Sequence, residues 1–102
     1  MRKRVAVSPQ ARSDFREIVG YLQDNAGRAV ARRYAGRIEA SLDLIEEHPA
    51  IGAARPKLGA HIRIWPIPPY VLIYALGEDA VQILRILHAK RKITRRVVQE
   101  GS

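Results

Sequence analysis

Ala80-Val81-Gln82-Ile83-Leu84-Arg85-Ile86-Leu87-His88-Ala89-Lys90-Arg91-Lys92-Ile93 is the stretch on which the fold turns. From Val81 to Leu87 every residue is apolar except Gln82 and Arg85, which predicts a strand covered on much of both faces. The run then breaks into His88, Lys90, Arg91 and Lys92. A strand that delivers an imidazole and three cations to its own exit holds them on a rigid element, as a functional site requires. The plainer reading makes Leu87 the end of the core and the basic residues a solvated tail. Arg85 likewise reads either as a contact residue or as the partner of an Asp or Glu on a helix, and His88 as a contact or as a strand-end imidazole bonded to backbone.

Working back from that stretch, Gly77-Glu78-Asp79 is a turn, and Tyr70 to Leu76 is a preceding strand without a single charge. Pro66-Ile67-Pro68-Pro69 forms a stiffened turn, and His61 to Trp65 alternates as a further strand. That alternation places Ile62 and Ile64 on one face, with His61, Arg63 and Trp65 on the other. Two short connections between three strands specify an antiparallel meander. Pro49 to Ala60 reads as an irregular loop carrying Arg55 and Lys57.

Ahead of the loop lie two helical patterns. Ser8-Pro9 is a helix start, serine capping and proline filling the first helical position. Ala11, Phe15, Ile18, Val19 and Leu22 then recur at helical spacing until Asp24-Asn25-Ala26-Gly27 ends the segment. A second helix from Arg28 to Glu47 carries Ala31, Tyr34, Ala35, Ile38, Leu42 and Ile45 as its stripe and stops at His48-Pro49. Lys3 to Val7 is a short opening strand. The order β-α-α-β-β-β predicts an α+β fold, one domain over residues 1–102. A helical hairpin packs on one face of a small, mainly antiparallel sheet, and the first strand lies beside the last. The opposite face is expected to carry Arg63 and Arg85 for function.

Composition narrows the chemistry. There is no cysteine, hence no thiolate nucleophile or cysteine-ligated zinc, and His48, His61 and His88 lack metal-ligand spacing, so no metal or cofactor is expected. Arg2, Lys3 and Arg4 resemble the start of a signal peptide, but no apolar run follows and no window is long enough to span a bilayer. The chain reads as a cytoplasmic protein without membrane attachment. Its formal charge of +8 calls for a polyanionic or acidic partner. A plain basic binding module fits that charge. No recognition-helix signature appears, however, and the cations are spread over both helices and the tail, so sequence-specific DNA binding is not expected.

In order and spacing, several motifs together resemble the ParE/RelE superfamily of bacterial toxins, the ParE branch more than the RelE branch. They are the opening strand into Ser8-Pro9-Gln10-Ala11, Asp14-Phe15-Arg16-Glu17-Ile18, His48-Pro49 with Gly52, Ile62-Arg63, Tyr70-Val71-Leu72-Ile73-Tyr74 and Ile83 to His88. Such chains commonly close on a segment like His-Gly-Arg-Arg-Asp; here it reads His88-Ala89-Lys90-Arg91-Lys92. The resemblance implies a toxin that inhibits DNA gyrase, arrests growth and is neutralised by a ParD-like antitoxin. Target contacts would then fall on Arg63, Arg85, His88, Lys90, Arg91 and Lys92. Antitoxin contacts would fall on Phe15, Ile18, Leu22, Arg33, Tyr34, Arg37 and Ile38. The RelE alternative is a metal-independent endonuclease cutting mRNA on the ribosome, with Arg63, Arg85, His88 and Arg91 as its chemical groups. That chemistry asks for an acid, a base and clustered cations, and the uncharged strand Tyr70 to Leu76 argues against it.

Overall fold

The computed structural model describes residues 3–102, and Arg2 of the basic start lies outside the described residues. Its elements are β1 (Arg4–Val7), α1 (Pro9–Ala26), α2 (Arg28–Glu47), β2 (Ala53–Ala54), a 3-10 turn (Pro56–Leu58), β3 (Ile62–Ile67), β4 (Tyr70–Leu76), β5 (Ala80–His88) and α3 (Arg95–Gln99). The strands form one sheet ordered β1-β5-β4-β3-β2, with β1 parallel to β5 and the other pairings antiparallel. The expected α+β architecture is present, a helical hairpin lying on one face of a mainly antiparallel sheet.

Helix α1 starts where β1 stops pairing, and that junction organises the centre of the molecule. β1 matches β5 only as far as Val7 opposite Ile83, leaving the next residues of β5 at an open edge. Ser8 takes over: its backbone N–H donates to the Ile83 carbonyl, and its hydroxyl donates to the Leu84 carbonyl while accepting from the Ala11 N–H. One turn on, the Asp14 carboxylate accepts the Ile86 N–H at 3.0 Å. The capping turn of α1 therefore satisfies backbone groups that a strand would otherwise have to pair. Gly27 joins the helices at φ 94°, where a β-carbon would be strained.

The core has two layers. On the hairpin side Ala11, Ile38 and Ile45 meet Leu72, Tyr74, Val81, Ile83 and Ile86. On the other face Ile62, Ile73, Leu84 and Leu87 pack under Val98 of α3, flanked by Leu58, Ile64, Val71 and Ile93. β5 serves both layers by alternation, and the extra residue Leu84 in its ladder with β4 shifts the phase, so that Ile83 and Ile86 share one layer and Leu84 and Leu87 the other: Ile73 pairs with Arg85, whereas Tyr74 pairs with Ile83.

Three expectations change. β3 continues through Pro66 to Ile67, and the turn shrinks to the cis-bonded Pro68-Pro69 pair; Pro66 is tolerated because β2 pairs only with Arg63 and Ile64, so the outer edge asks for no N–H there. The loop after α2 contains β2 and the 3-10 turn. Most consequentially, the face opposite the hairpin is not open: α3 and Ile93 cover it with apolar contacts.

Candidate functional site

The end of the sheet where β4 begins and β5 finishes gathers most of the exposed chemistry singled out in the sequence. Tyr70 pairs with His88, and the chain leaving β5 is held by backbone bonds from Ala89 N–H to the Pro69 carbonyl (2.8 Å) and from Arg91 N–H to the His88 carbonyl (3.0 Å). Lys90 N–H donates to Nδ1 of His88 at 3.1 Å, which leaves the proton of a neutral ring on Nε2. Ala89 costs no strain in this turn, because His61 alone among the described non-glycine residues has a positive φ. Lys90, Arg91 and Lys92 project into solvent from this turn.

A row of rings links the turn to α2. His88 meets the Tyr70 ring edge-on at 5.8 Å between centroids, and Tyr70 meets Tyr34 edge-on at 5.8 Å. The guanidinium groups of Arg37 and Arg33 lie 5.1 and 6.0 Å from the Tyr34 ring centroid. Burial, with smaller contributions from Tyr34 and Tyr21, pushes the Tyr70 hydroxyl above its ordinary range. It stays protonated at neutral pH and is unsuited to act as a base. The structure thus brings Arg33, Tyr34 and Arg37, expected on the antitoxin side, to the same end of the molecule as His88, Lys90, Arg91 and Lys92.

Two grooves flank α1. One of about 690 Å³ is lined by Ile18, Tyr21, Leu22, Pro69, His88 and Arg91 among others. The other, about 340 Å³ and mostly apolar, lies between the helices over the sheet; Phe15, Ile38 and Leu42 line it, with Arg12, Arg16 and Glu39 also at its walls. The seven residues expected to meet an antitoxin therefore divide between the hairpin groove, the groove toward His88, and the outer surface of α2.

Two expected contact residues lie elsewhere. Arg63 is on the hairpin side of β3, not the opposite face, and donates to the carbonyls of Ala50 and Gly52 at 3.0 and 2.7 Å. Arg85 is 3% exposed. Its guanidinium donates through two nitrogens to both Asp14 oxygens, at 2.8 and 3.0 Å, and through the third to Glu100 and the Val97 carbonyl. The hydrogen bonds to Asp14 hold its proton more tightly than usual against the cost of burial. Arg85 is thereby withdrawn from the surface, because a charge inside a sheet must be satisfied there, whereas the half-buried Arg63 is tied to the loop after α2. Asp14 itself was legible only as a polar position on α1; the signal for it was Arg85, a cation in an otherwise apolar strand.

Comparison with known proteins places this geometry. Residues 5–93 match a family model described as the ParE toxin of the type II toxin-antitoxin system parDE. The chain belongs to the ParE toxin family. It is 32% identical over 82 residues to Toxin ParE1 of Caulobacter vibrioides, covering 80% of this chain and 84% of that one. The fold of this ParE-family chain is also that of a chain from the chromosomal ParDE system of P. aeruginosa, with a TM-score of 0.73 at 19% identity, covering 84% of this chain and 95% of that one. A chain of the YoeB-YefM complex from Staphylococcus aureus is more distant, at TM-score 0.58 and 19% identity over 86% of this chain and 98% of its own. Helix α3 lies beyond the segment that defines the ParE match. Among the described residues, no helix is long and apolar enough to cross a membrane.

Proposed function

We propose that this ParE-family toxin acts in the cytoplasm by inhibiting DNA gyrase without covalent chemistry, arresting growth until a ParD-like antitoxin captures it. The observation that carries the non-enzymatic reading is the apolar filling of the sheet face opposite the hairpin. RNA cleavage through a 2′-hydroxyl needs an acid, a base and cations converging on one phosphate. Of the four residues named for it, Arg63 is tied to the loop after α2 and Arg85 is locked between Asp14 and Glu100, so only His88 and Arg91 share a surface. The face itself presents Ile62, Ile64, Val71, Leu84 and Leu87 to α3 and its approach.

Target contact then rests on His88, Lys90, Arg91 and Lys92, held on the end of a buried strand. The antitoxin fits the groove between α1 and α2, where Phe15, Ile38 and Leu42 offer apolar anchorage for an amphipathic helix and Arg12 and Arg16 offer partners for carboxylates. The deciding experiment expresses the chain alone, then measures supercoiling by purified gyrase and maps mRNA ends. Blocked supercoiling with intact mRNA is the expected result; codon-linked cuts with unaffected gyrase would sink the proposal. Arg91→Ala should abolish growth arrest while the purified variant still binds antitoxin.

A further inference from the structure

Helix α2 carries its charges in the order least favourable to a helix. Arg28, Arg32, Arg33 and Arg37 occupy its first half, and Glu39, Asp43, Glu46 and Glu47 its second, with no acid in the first turn and no base in the last. The peptide dipoles make a helix N-terminus positive and its C-terminus negative, so the charges of its terminal turns, Arg28 at one end and Glu46 and Glu47 at the other, work against the helix. Tertiary structure deepens the separation. The β5 exit adds Lys90, Arg91 and Lys92 at the arginine end, through the ring row from Tyr34 to His88. At the other end Lys3 ties α2 to the β4–β5 turn, donating from its backbone to Glu46 and from Nζ to Gly77, so that Glu78 and Asp79 lie near the acidic half. Among the described residues, Arg32, Arg33, Arg37, Lys90, Arg91 and Lys92 make no ion pair.

We propose that this basic pole binds the phosphate backbone of duplex DNA without reading its sequence, a property beyond gyrase inhibition and independent of it. Charge complementarity names the occupant. Around the α2 arginines the pole presents cations and little apolar area, Tyr70 being 7% exposed and the Tyr34 ring flanked by guanidinium groups, while a groove of Ile18, Tyr21 and Leu22 with Glu17 adjoins it beside Arg91. A phosphate backbone needs only charge and hydrogen-bond donors, which the α2 arginines and the β5 exit supply, whereas an acidic peptide would draw its apolar anchors from the adjoining groove. Three of the six cations are arginines on one helix, whose planar forks suit phosphate oxygens. Phosphate contacts carry no sequence information of their own, hence the absence of sequence preference.

The test titrates the full-length chain against two labelled 20-base-pair duplexes of unrelated sequence by fluorescence anisotropy, from 50 to 200 mM salt. Both should bind equally, with a slope of log K against log salt of about −3 to −4, the value for roughly four neutralised phosphates. Arg33→Glu combined with Arg37→Glu should weaken binding at 100 mM by about tenfold or more and reduce the slope by about 2. Both side chains are exposed, so the variant keeps its fold, which circular dichroism checks. Arg4→Glu combined with Lys57→Glu alters the same net charge away from the pole and should leave affinity within about threefold. Equal losses in the two double variants, no binding at 50 mM salt, or displacement by polyglutamate as readily as by unlabelled duplex would each overturn the proposal.

Discussion

Tyr74 is the residue through which the loop after α2 is tied to the sheet. Its ring is fully buried, and its hydroxyl donates to the Pro49 carbonyl at 2.7 Å while accepting the Gly52 N–H at 2.9 Å. A β-carbon at Gly52 would come within 2.8 Å of the ring and 2.9 Å of the Ile64 carbonyl, so the loop passes there only with glycine. Burial pushes the Tyr74 hydroxyl above its ordinary range, and the Gly52 N–H and Arg63 offset this only in part. The folded state thus prefers the neutral phenol. Its contribution is complete below the unfolded value near 10 and is lost as pH rises through the higher folded value. Tyr74→Phe should cost about 1–3 kcal/mol at pH 7, since it leaves the Gly52 N–H unpaired, and should flatten the fall in stability above about pH 10. Urea denaturation at pH 7 and across the alkaline range measures both; an unchanged alkaline slope would refute the account. Tyr74 was legible as a strand residue, but its role was not, because its partners lie on a loop more than 20 positions away.

At the scale of elements, α3 is the piece that closes the second face. Thr94 caps it, its hydroxyl accepting the Val97 N–H, and Val98 enters the cluster with Ile62, Ile73, Leu84 and Leu87. Beyond it, Gly101 lies directly against the Leu84 backbone, where a β-carbon would collide. Arg85 joins α1 to α3 by bonding Asp14 on one side and Glu100 with the Val97 carbonyl on the other. Removing residues 94–102 should cost roughly 2–4 kcal/mol, from uncovered apolar surface and one unpaired arm of Arg85. Glu100→Gln, which keeps the apolar cover, should cost under about 1 kcal/mol because Glu100 is half exposed. Chemical denaturation distinguishes the two, and equal losses would mean that the ion pair, not apolar cover, holds the helix. Sequence patterning reached α1, α2 and the meander because each is long enough to show its period. Five residues, Arg-Arg-Val-Val-Gln, are too few to show one.

Over the whole molecule the dominant physical feature is charge, and only the fold reveals its arrangement. In sequence the cations run through both helices and the tail; in space those of α2's first half and the β5 exit share one end. Repulsion there, together with the reversed charges of α2, opposes folding by about 0.3–1 kcal/mol for each charge in a terminal turn at low salt. Raising salt from 50 to 500 mM should therefore stabilise the protein, on the order of 1 kcal/mol, as screening shortens the reach of these interactions. The urea midpoint should rise with sodium chloride, and a fall would show that favourable pairs outweigh the repulsion.

The sequence by itself determined α1, α2, the meander and the place of β1 beside β5, because apolar period, capping residues and turn prolines act locally or between neighbours, and the order of its motifs carried the resemblance to the family. It also marked His88 to Lys92 as exposed chemistry at a strand exit. Tertiary structure decided what that chemistry can include. Arg85 and Arg63 have the same composition signal as Arg91, yet one is enclosed by Asp14 and Glu100 and the other is half-buried and tied to loop carbonyls. Whether a cation is spent inside the fold or left for a partner depends on groups tens of residues away, and no local pattern encodes that distance.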